Sequence, residues 1–141
     1  MKKKVSAIFP KPKSVGKRPW GEEILLSLIP KKISLKVLKI KKGMQGGIQF
    51  HHKKDECGYL ISGKLKVRYD PGNGKLKEKI LTKGQSFYFP QGSIHQEIAL
   101  TNCEIIEAST PYFNDRVRVD EKYGFEVKGL PSTKKKDVIL K

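Results

Sequence analysis

Short stretches in which apolar and polar residues alternate run through the middle of the chain. Residues 34–40 read SLKVLKI and residues 64–70 read KLKVRYD, and both have the period of two that is typical of half-buried strands. Turn-forming residues separate such stretches, among them the PGNG of residues 71–74. Helical periodicity is almost absent. The pattern therefore predicts an all-β barrel or sandwich.

The same criteria predict the remaining strands of the barrel at residues 22–29, 75–81, 86–90, 95–100 and 103–109. Residues 111–126 are predicted to hold a short helix or a turn that closes the barrel mouth. Residues 1–16 are predicted to be an arm that is flexible or docks on a partner subunit, and residues 126–141 a basic tail. Residues 17–125 remain for the barrel, and 141 residues suffice for one such domain.

Three side chains with metal-binding atoms lie within eight residues of each other: Gln49, His51 and Glu56. An amide oxygen, a neutral imidazole and a carboxylate all suit a divalent ion. In an extended strand Gln49 and His51 share one face, whereas His52 points to the other. Glu56 is out of phase with His51, so these ligands converge only if a bend or bulge separates them. His95, which follows a turn farther along the chain, is the expected fourth ligand.

Two spaced motifs contain these residues. The first is Gly, five residues, Gln-Phe-His, four residues, Glu, six residues, Gly, and it runs from Gly43 to Gly63. The second consists of Gly84, Pro90, Gly92 and His95. Both resemble the signature motifs of the cupin superfamily, with Gln49 in place of the first His and Ala99 in place of a closing Asn. The resemblance implies a single jelly-roll-like cupin barrel, known as a double-stranded β-helix, and a homodimer. It also implies a metal ion held by Gln49, His51, Glu56 and His95.

The resemblance is more specific to the C-terminal cupin domain of type II mannose-6-phosphate isomerases, which bind their metal with a Gln, two His and a Glu. The further matching residues are Pro19-Trp20-Gly21, Gln49 to His52, Ser62-Gly63, Asp115, Val117, Arg118, Asp120, Glu121, Tyr123 and Gly124. Two departures lie beside the ligands. Lys53 replaces the family's third consecutive His, and Cys57-Gly58 replaces its His-Trp pair. The pocket rim therefore differs, and the substrate stays open.

This resemblance implies a metal-dependent enzyme that acts on a sugar or sugar phosphate by aldose–ketose isomerisation. Ligand type allows zinc, manganese, iron, cobalt or nickel, and the ion would stabilise the developing oxyanion. By strand parity with His95, Glu97 points into the barrel and is the candidate base. Arg118 is a candidate for holding a phosphate or an anionic intermediate, and Lys53 and Lys122 are weaker candidates for the same role. The plainer interpretation is that Glu97 pairs with one of the many lysines and that Lys53 and Lys122 are simply solvated.

Two other functions suit the same scaffold. One is a binding cupin that holds a carbohydrate or nucleotide sugar without turnover, which the altered rim residues favour. The other is an iron-dependent cupin dioxygenase. Metal analysis and substrate binding distinguish these alternatives from an isomerase.

The chain carries 30 Lys and Arg against 14 Asp and Glu, a net charge of +16. Such a charge raises nucleic acid and anionic membranes as partners. Much of it lies near the two termini and no nucleic-acid motif accompanies it, so a small-molecule substrate is the expected partner. The chain has two Cys, no signal peptide and no long apolar run. We therefore expect a cytoplasmic protein that does not bind membranes.

Overall fold

The computed structural model describes residues 3–112 and 115–119. Within these residues the chain forms eleven β-strands joined by turns and loops, and no helix. The strands are β1 (Lys13–Arg18), β2 (Gly21–Ile29), β3 (Ile33–Ile40), β4 (Gln49–His51), β5 (Glu56–Ser62), β6 (Lys64–Tyr69), β7 (Lys77–Thr82), β8 (Ser86–Phe89), β9 (His95–Ala99), β10 (Cys103–Ser109) and β11 (Arg116–Arg118). No helix in this part of the chain is available to span a membrane.

The strands form two sheets in which neighbouring strands run antiparallel. The first has six strands in the order β1-β2-β3-β10-β5-β8, and the second has five in the order β11-β4-β9-β6-β7. Strands that follow one another in sequence often lie in opposite sheets, as β4 and β5 do, so the two sheets together make a jelly-roll barrel. The predicted all-β barrel is therefore confirmed.

Strand alternation determines which side chains enter the barrel. In β10, Cys103, Ile105, Glu107 and Ser109 are buried, and the residues between them are partly exposed. This strand lies between β3 and β5 in the sheet and is paired along its whole length. A period of two puts every second side chain on the inner face, although the apolar and polar residues of this strand do not alternate strictly in sequence.

Along the direction of the strands, the barrel interior divides into a half lined by apolar side chains and a half lined by polar side chains. The apolar half contains Leu38, Leu60, Leu65, Val67, Leu81, Phe89, Ala99, Cys103 and Ile105. The polar half contains the buried residues Ser34, Lys36, His51, Lys54, Glu56, His95, Glu107 and Ser109. Register keeps each half continuous between strands. Ile105 lies opposite Leu38 and Leu60, whereas Glu107 lies opposite Lys36 and Gly58.

Strand β11 corrects the prediction at residues 116–118, which lie in the segment 111–126 that was expected to hold a short helix or a turn. Arg116, Val117 and Arg118 pair with His51, Phe50 and Gln49 of β4. Val117 is buried in a small cluster outside the barrel, with Val119, Ile48, Phe50, Leu76 and Ile94. The strand is only three residues long and two of them are charged, so its own sequence hardly indicates a strand. The free edge of β4 supplies the hydrogen bonds that make it one.

The ends of the chain bear on the predicted domain boundaries. Residues 3–12 are exposed and lie outside the strands, whereas β1 begins at Lys13, within the predicted 1–16 arm. The predicted tail at 126–141 lies outside the described residues. The roles of the arm and the tail therefore stay predictions.

Candidate metal centre

His51, Glu56 and His95 meet in the polar half, as the motif spacing predicts. Their nearest potential ligand atoms all lie within 4.8 Å of one another, and all three residues are buried. Nε2 of His51 is 3.5 Å and Nε2 of His95 is 3.2 Å from the same carboxylate oxygen, Oε1 of Glu56. Two imidazoles and a carboxylate converging at these distances are a donor set for a divalent transition metal.

The predicted bend between His51 and Glu56 is a crossing from one sheet to the other. His51 ends β4 in the five-stranded sheet and Glu56 begins β5 in the six-stranded sheet. The loop between them is fixed by a reciprocal pair of hydrogen bonds. The Asp55 N–H donates to Oγ1 of Thr110 at 3.0 Å, and the Thr110 N–H donates to the Asp55 carbonyl at 3.0 Å. The crossing lets both residues face the same interior.

Each imidazole is oriented by its second ring nitrogen. Nδ1 of His95 lies 2.9 Å from the carbonyl oxygen of Ser93, which can only accept, so Nδ1 carries a hydrogen and Nε2 is the nitrogen that faces Glu56. Nδ1 of His51 is 3.1 Å from Oδ1 of Asp115. The Phe89 ring stacks on the His95 ring at 3.9 Å between centroids. Hydrogen bonds of this kind to a carbonyl or a carboxylate are typical of metal-binding histidines.

Asp115 is a functional residue that the sequence analysis placed in a motif without giving it a role. Its Oδ2 accepts hydrogen bonds from the backbone N–H groups of Lys53 at 2.7 Å and Lys54 at 2.9 Å. One carboxylate thus orients His51 and also fixes the loop that leads to Glu56. The contact joins residues more than sixty positions apart, so spacing alone does not reveal it.

Gln49 fits the fourth position. It shares a face of β4 with His51 and lies directly opposite His95 in β9. Its Oε1 is buried and has no hydrogen-bond partner among the described residues. A buried amide oxygen without a partner costs free energy, and a cation would satisfy it. The residues present therefore fit a bound metal ion.

The charge of Glu56 is suited to binding a cation. Burial alone would raise its pKa, but the hydrogen-bonding imidazoles of His51 and His95, with the ammonium of Lys54, hold the pKa well below its usual range. Lys54 is itself buried, and Nζ lies 3.0 Å from Oε2 of Glu56. The carboxylate is thus ionised, with different partners on its two oxygens.

Two further carboxyl groups in the interior have pKa values raised to near neutral pH. Burial, with the nearby negative charge of Glu56, raises the pKa of Glu97 to about 8. Burial and the charge of Glu56 likewise raise the pKa of Glu107 to about 8. Glu97 lies opposite the buried Val67 in β6, so it faces inward as strand parity predicts.

The predicted anion-binding residues lie in different places. Arg118 is exposed and lies next to Gly47, whose position for a Cβ is 3.6 Å from Cδ of Arg118. Lys53 is exposed in the loop after β4. Lys122 lies outside the described residues, and the substrate-binding roles of all three stay predictions.

Arg116 is a basic residue that the sequence analysis overlooked. It is partly buried and lies opposite His51, on the same face as that ligand. Burial and the nearby charge of Arg118 lower its pKa. The signal for it was strand parity, which becomes visible only once residues 116–118 are known to be a strand.

The altered rim has a structural consequence at Gly58. A Cβ at this position would lie 2.2 Å from the Phe87 ring, so that ring occupies the space of a side chain at residue 58. Phe87 stacks on Phe89 at 4.6 Å, and Phe89 stacks on His95. Cys57, the other altered residue, is exposed. An aromatic row thus supports one imidazole where the resembled isomerases carry a Trp at the position of Gly58.

Comparison with known proteins agrees with this arrangement. The cupin domain family matches residues 36–108. The alginate biosynthesis protein AlgA of Pseudomonas aeruginosa is 29% identical over 112 residues, which are 76% of this chain and 22% of that protein. The mannose-1-phosphate guanylyltransferase ManC of Salmonella typhimurium is 28% identical over the same shares. The chain thus spans about a fifth of the length of these curated relatives.

Solved structures show the same fold. An oxalate decarboxylase of Bacillus subtilis, studied for its Mn(II) centres, superposes with a TM-score of 0.63 at 21% identity. The match covers 77% of this chain and 30% of that one. At this identity the likeness establishes the fold and leaves the chemistry to the site.

Proposed function

Because this chain belongs to the cupin family, we propose that it is a metal-dependent cupin that acts on a sugar phosphate, by aldose–ketose isomerisation. The observation that carries the proposal is the convergence of His51, Glu56 and His95 beside the unpartnered Gln49 oxygen. A relative named for mannose-1-phosphate supports the substrate class.

Gln49, His51, Glu56 and His95 would hold a divalent ion. When bound, it supplies Lewis-acid stabilisation of negative charge that develops on a substrate oxygen. Asp115 and the Ser93 carbonyl keep the two imidazoles in the tautomer that presents Nε2. The ionised Glu56 brings negative charge to the site at neutral pH. The choice among zinc, manganese, iron, cobalt and nickel depends on which metal is available.

Glu97 is our candidate for the base that moves a proton between neighbouring carbons. Its raised pKa of about 8 lies close to physiological pH, and a bound cation nearby would bring it back down. A base is most effective when its pKa is close to the working pH, because it can then both take and return the proton. Its inward position two residues after His95 supports this role.

Arg116 and Arg118 are our candidates for recognition of the anionic group. Arg116 lies opposite His51 and Arg118 lies opposite Gln49, so both arginines are on the same face of the sheet as these two residues. An arginine fork matches a phosphate with two parallel hydrogen bonds. Arg116 is deeper and Arg118 more exposed, so the phosphate would extend from the site toward solvent.

The test is proton exchange. Metal-loaded protein is incubated in D2O with a panel of phosphorylated aldoses and with the matching unphosphorylated sugars, and NMR detects deuterium at carbon 2. We expect exchange with at least one sugar phosphate, none after chelation, and at least a 100-fold slower rate in Glu97→Gln. Absence of exchange with every sugar, in protein that holds a full equivalent of metal, would refute isomerase chemistry.

A second candidate is a carbohydrate-binding cupin without turnover. The rebuilt rim favours it, because Phe87 fills the space beside Gly58 and Lys53 replaces a third His. Tight binding of a sugar phosphate to metal-loaded protein, without proton exchange, would select this function. An iron-dependent dioxygenase would instead consume oxygen when loaded with ferrous ion.

A further inference from the structure

The two oxygens of the Glu56 carboxylate have separate partners. Oε1 faces the Nε2 atoms of His51 and His95. Oε2 lies 3.0 Å from Nζ of Lys54, which is also 3.6 Å from Oε1 of Glu107. All of these side chains are nearly inaccessible, with 11% of Lys54, 6% of Glu56 and 7% of Glu107 exposed. The ammonium thus lies behind the carboxylate, on the side away from the imidazoles.

Lys54 is linked to the ligand set through its backbone as well as its side chain. Its N–H donates to Asp115, the carboxylate that orients His51. Its ammonium contacts Glu56. Lys54 therefore contacts Asp115, which orients His51, and also contacts the ligand Glu56 itself.

The pair belongs to a row of interior side chains in which acidic and basic groups alternate. Along the row lie Glu23, Lys36, Glu107, Lys54 and Glu56. Lys36 contacts Glu23 at 2.7 Å and lies opposite Glu107 in the sheet. Burying an ion pair usually costs as much free energy as its attraction returns, so a contribution to stability does not explain why Lys54 is buried against Glu56. A role in holding Glu56 as a ligand does.

We propose that Lys54 and Glu107 are positioning residues for the metal centre, because their contacts restrain Glu56 so that it offers a metal ion one oxygen, Oε1. Glu107 on β10 contacts the same ammonium at 3.6 Å. The proposal rests on the proposed metal site and adds the way in which the carboxylate ligand is held. The chain's own contacts, rather than the ion, determine how many oxygens Glu56 contributes.

Simple electrostatics predicts the opposite effect of removing Lys54. An ammonium near a bound cation repels it, so its loss should tighten metal binding if charge alone counts. If Lys54 positions Glu56, its loss should weaken binding, since residues that hold metal ligands contribute about 10- to 100-fold in affinity. The direction of the change in metal affinity therefore distinguishes a positioning role from charge repulsion alone.

The experiment compares Lys54→Met, Lys54→Arg and Glu107→Gln with the wild type. Lys36→Met is the matched control, because it removes a buried lysine paired with Glu23 rather than with Glu56. Mn²⁺ affinity is measured by titration, and infrared spectra of protein with ¹³C-labelled Glu report one-oxygen or two-oxygen binding of the carboxylate. Thermal unfolding of each metal-free variant checks that it folds.

We expect about a 10-fold or greater loss of Mn²⁺ affinity in Lys54→Met, with a changed carboxylate splitting. Lys54→Arg should stay within about 3-fold of wild type, and Glu107→Gln should lose about 3-fold, since it acts only through Lys54. Lys36→Met should lose stability without losing affinity. If Lys54→Met does not fold, the double variant Lys54→Met with Glu107→Gln removes the ammonium and the carboxyl group together and serves in its place.

Unchanged or tighter Mn²⁺ binding in the Lys54 variant, with an unchanged carboxylate splitting, would overturn the positioning role and leave the proposed function intact. Equal losses in Lys54→Met and Lys36→Met would overturn it too, because they would reveal a general effect on the fold. Failure of the wild type itself to bind Mn²⁺, Zn²⁺, Fe²⁺, Co²⁺ or Ni²⁺ would reject both proposals.

Discussion

The two halves of the barrel interior are built on the same strands and differ in what they bury. In β10, Ile105 and Cys103 lie in the apolar half, whereas Glu107, one inward position away from Ile105, lies in the polar half. In β9, Ala99 lies in the apolar half and His95 in the polar half, with the inward-facing Glu97 between them. The pairing of β10 with β3 keeps one register through both halves. The strand thus supplies the frame, and only the inward side chains decide whether it serves stability or chemistry.

The difference shows how the fold supports a costly site. Leu60, Leu65 and Ile105 are completely buried, and each such side chain contributes roughly 1.5–3 kcal/mol of hydrophobic free energy. The polar half buries ionised groups whose desolvation offsets most of their attraction. We infer that the apolar half stabilises the barrel and that the polar half is retained for its chemistry. Four predictions test this division, in order of decreasing effect.

The largest effect is expected at the candidate metal centre, for His95→Gln. This change removes an imidazole ligand and so weakens the binding of a metal ion whose charge stabilisation is worth several kcal/mol; proton exchange should therefore fall about a thousandfold. Stability of the metal-free protein should change little, because Gln keeps a polar side chain there. The measurements are exchange rate, metal content and urea unfolding. Full metal binding in this variant would contradict the assignment of His95 as a ligand.

Leu65→Ala should reduce stability and leave metal binding nearly unchanged, which is the reverse of the effect expected for His95→Gln. Removing a completely buried leucine from the apolar half should reduce the free energy of unfolding by about 2–5 kcal/mol. Metal affinity of the folded protein should stay within about 2-fold, because residues without shared contacts act independently. Urea denaturation and metal titration measure the two quantities. A parallel loss of affinity would mean that the halves are coupled.

Gly58→Ala should cost about 1–3 kcal/mol of stability, because the new Cβ would meet the Phe87 ring at 2.2 Å. The clash also pushes on the aromatic row that ends at His95, so metal affinity should fall as well. Phe87→Leu in the same chain should relieve the clash and recover part of the stability. Thermal unfolding of the single and double variants tests this, and equal stability of Gly58→Ala and wild type would refute it.

The smallest effect concerns pH. The pKa of Glu107 is raised from 4.5 to about 8, so the folded state keeps a proton that the unfolded state loses between these values. Stability of the metal-free protein should therefore fall as pH rises from about 4.5 to 8 and level off above. Glu107→Gln should reduce the fall by about 1–3 kcal/mol, leaving the contribution of Glu97, which has the same sign.

Urea denaturation at pH 5, 6.5 and 8 in the presence of a chelator measures this change. Glu104→Gln is the control, since Glu104 lies on the outward face of the same strand. An identical fall in Glu107→Gln and wild type would show that the buried carboxyl does not govern the pH dependence.

Much of the fold was predictable because strand periodicity is local. Residues 64–70 alternate strictly, and the strands predicted at residues 34–40, 64–70 and 103–109 are all observed within a residue of the predicted bounds. The cupin resemblance is confirmed by the family match and the fold. The prediction for residues 111–126 was wrong at Arg116–Arg118, because a three-residue strand takes its conformation from its partner β4.

The sequence by itself determined the barrel class and the identity of the converging residues, since His51, Glu56 and His95 stand at spacings that a β-barrel brings together. Only the tertiary structure decided how these residues are held. Lys54 behind Glu56, Asp115 behind His51 and the Phe87 ring over Gly58 are contacts between side chains whose partners lie on other strands or loops. Such contacts follow from sheet order and register, which local periodicity does not specify.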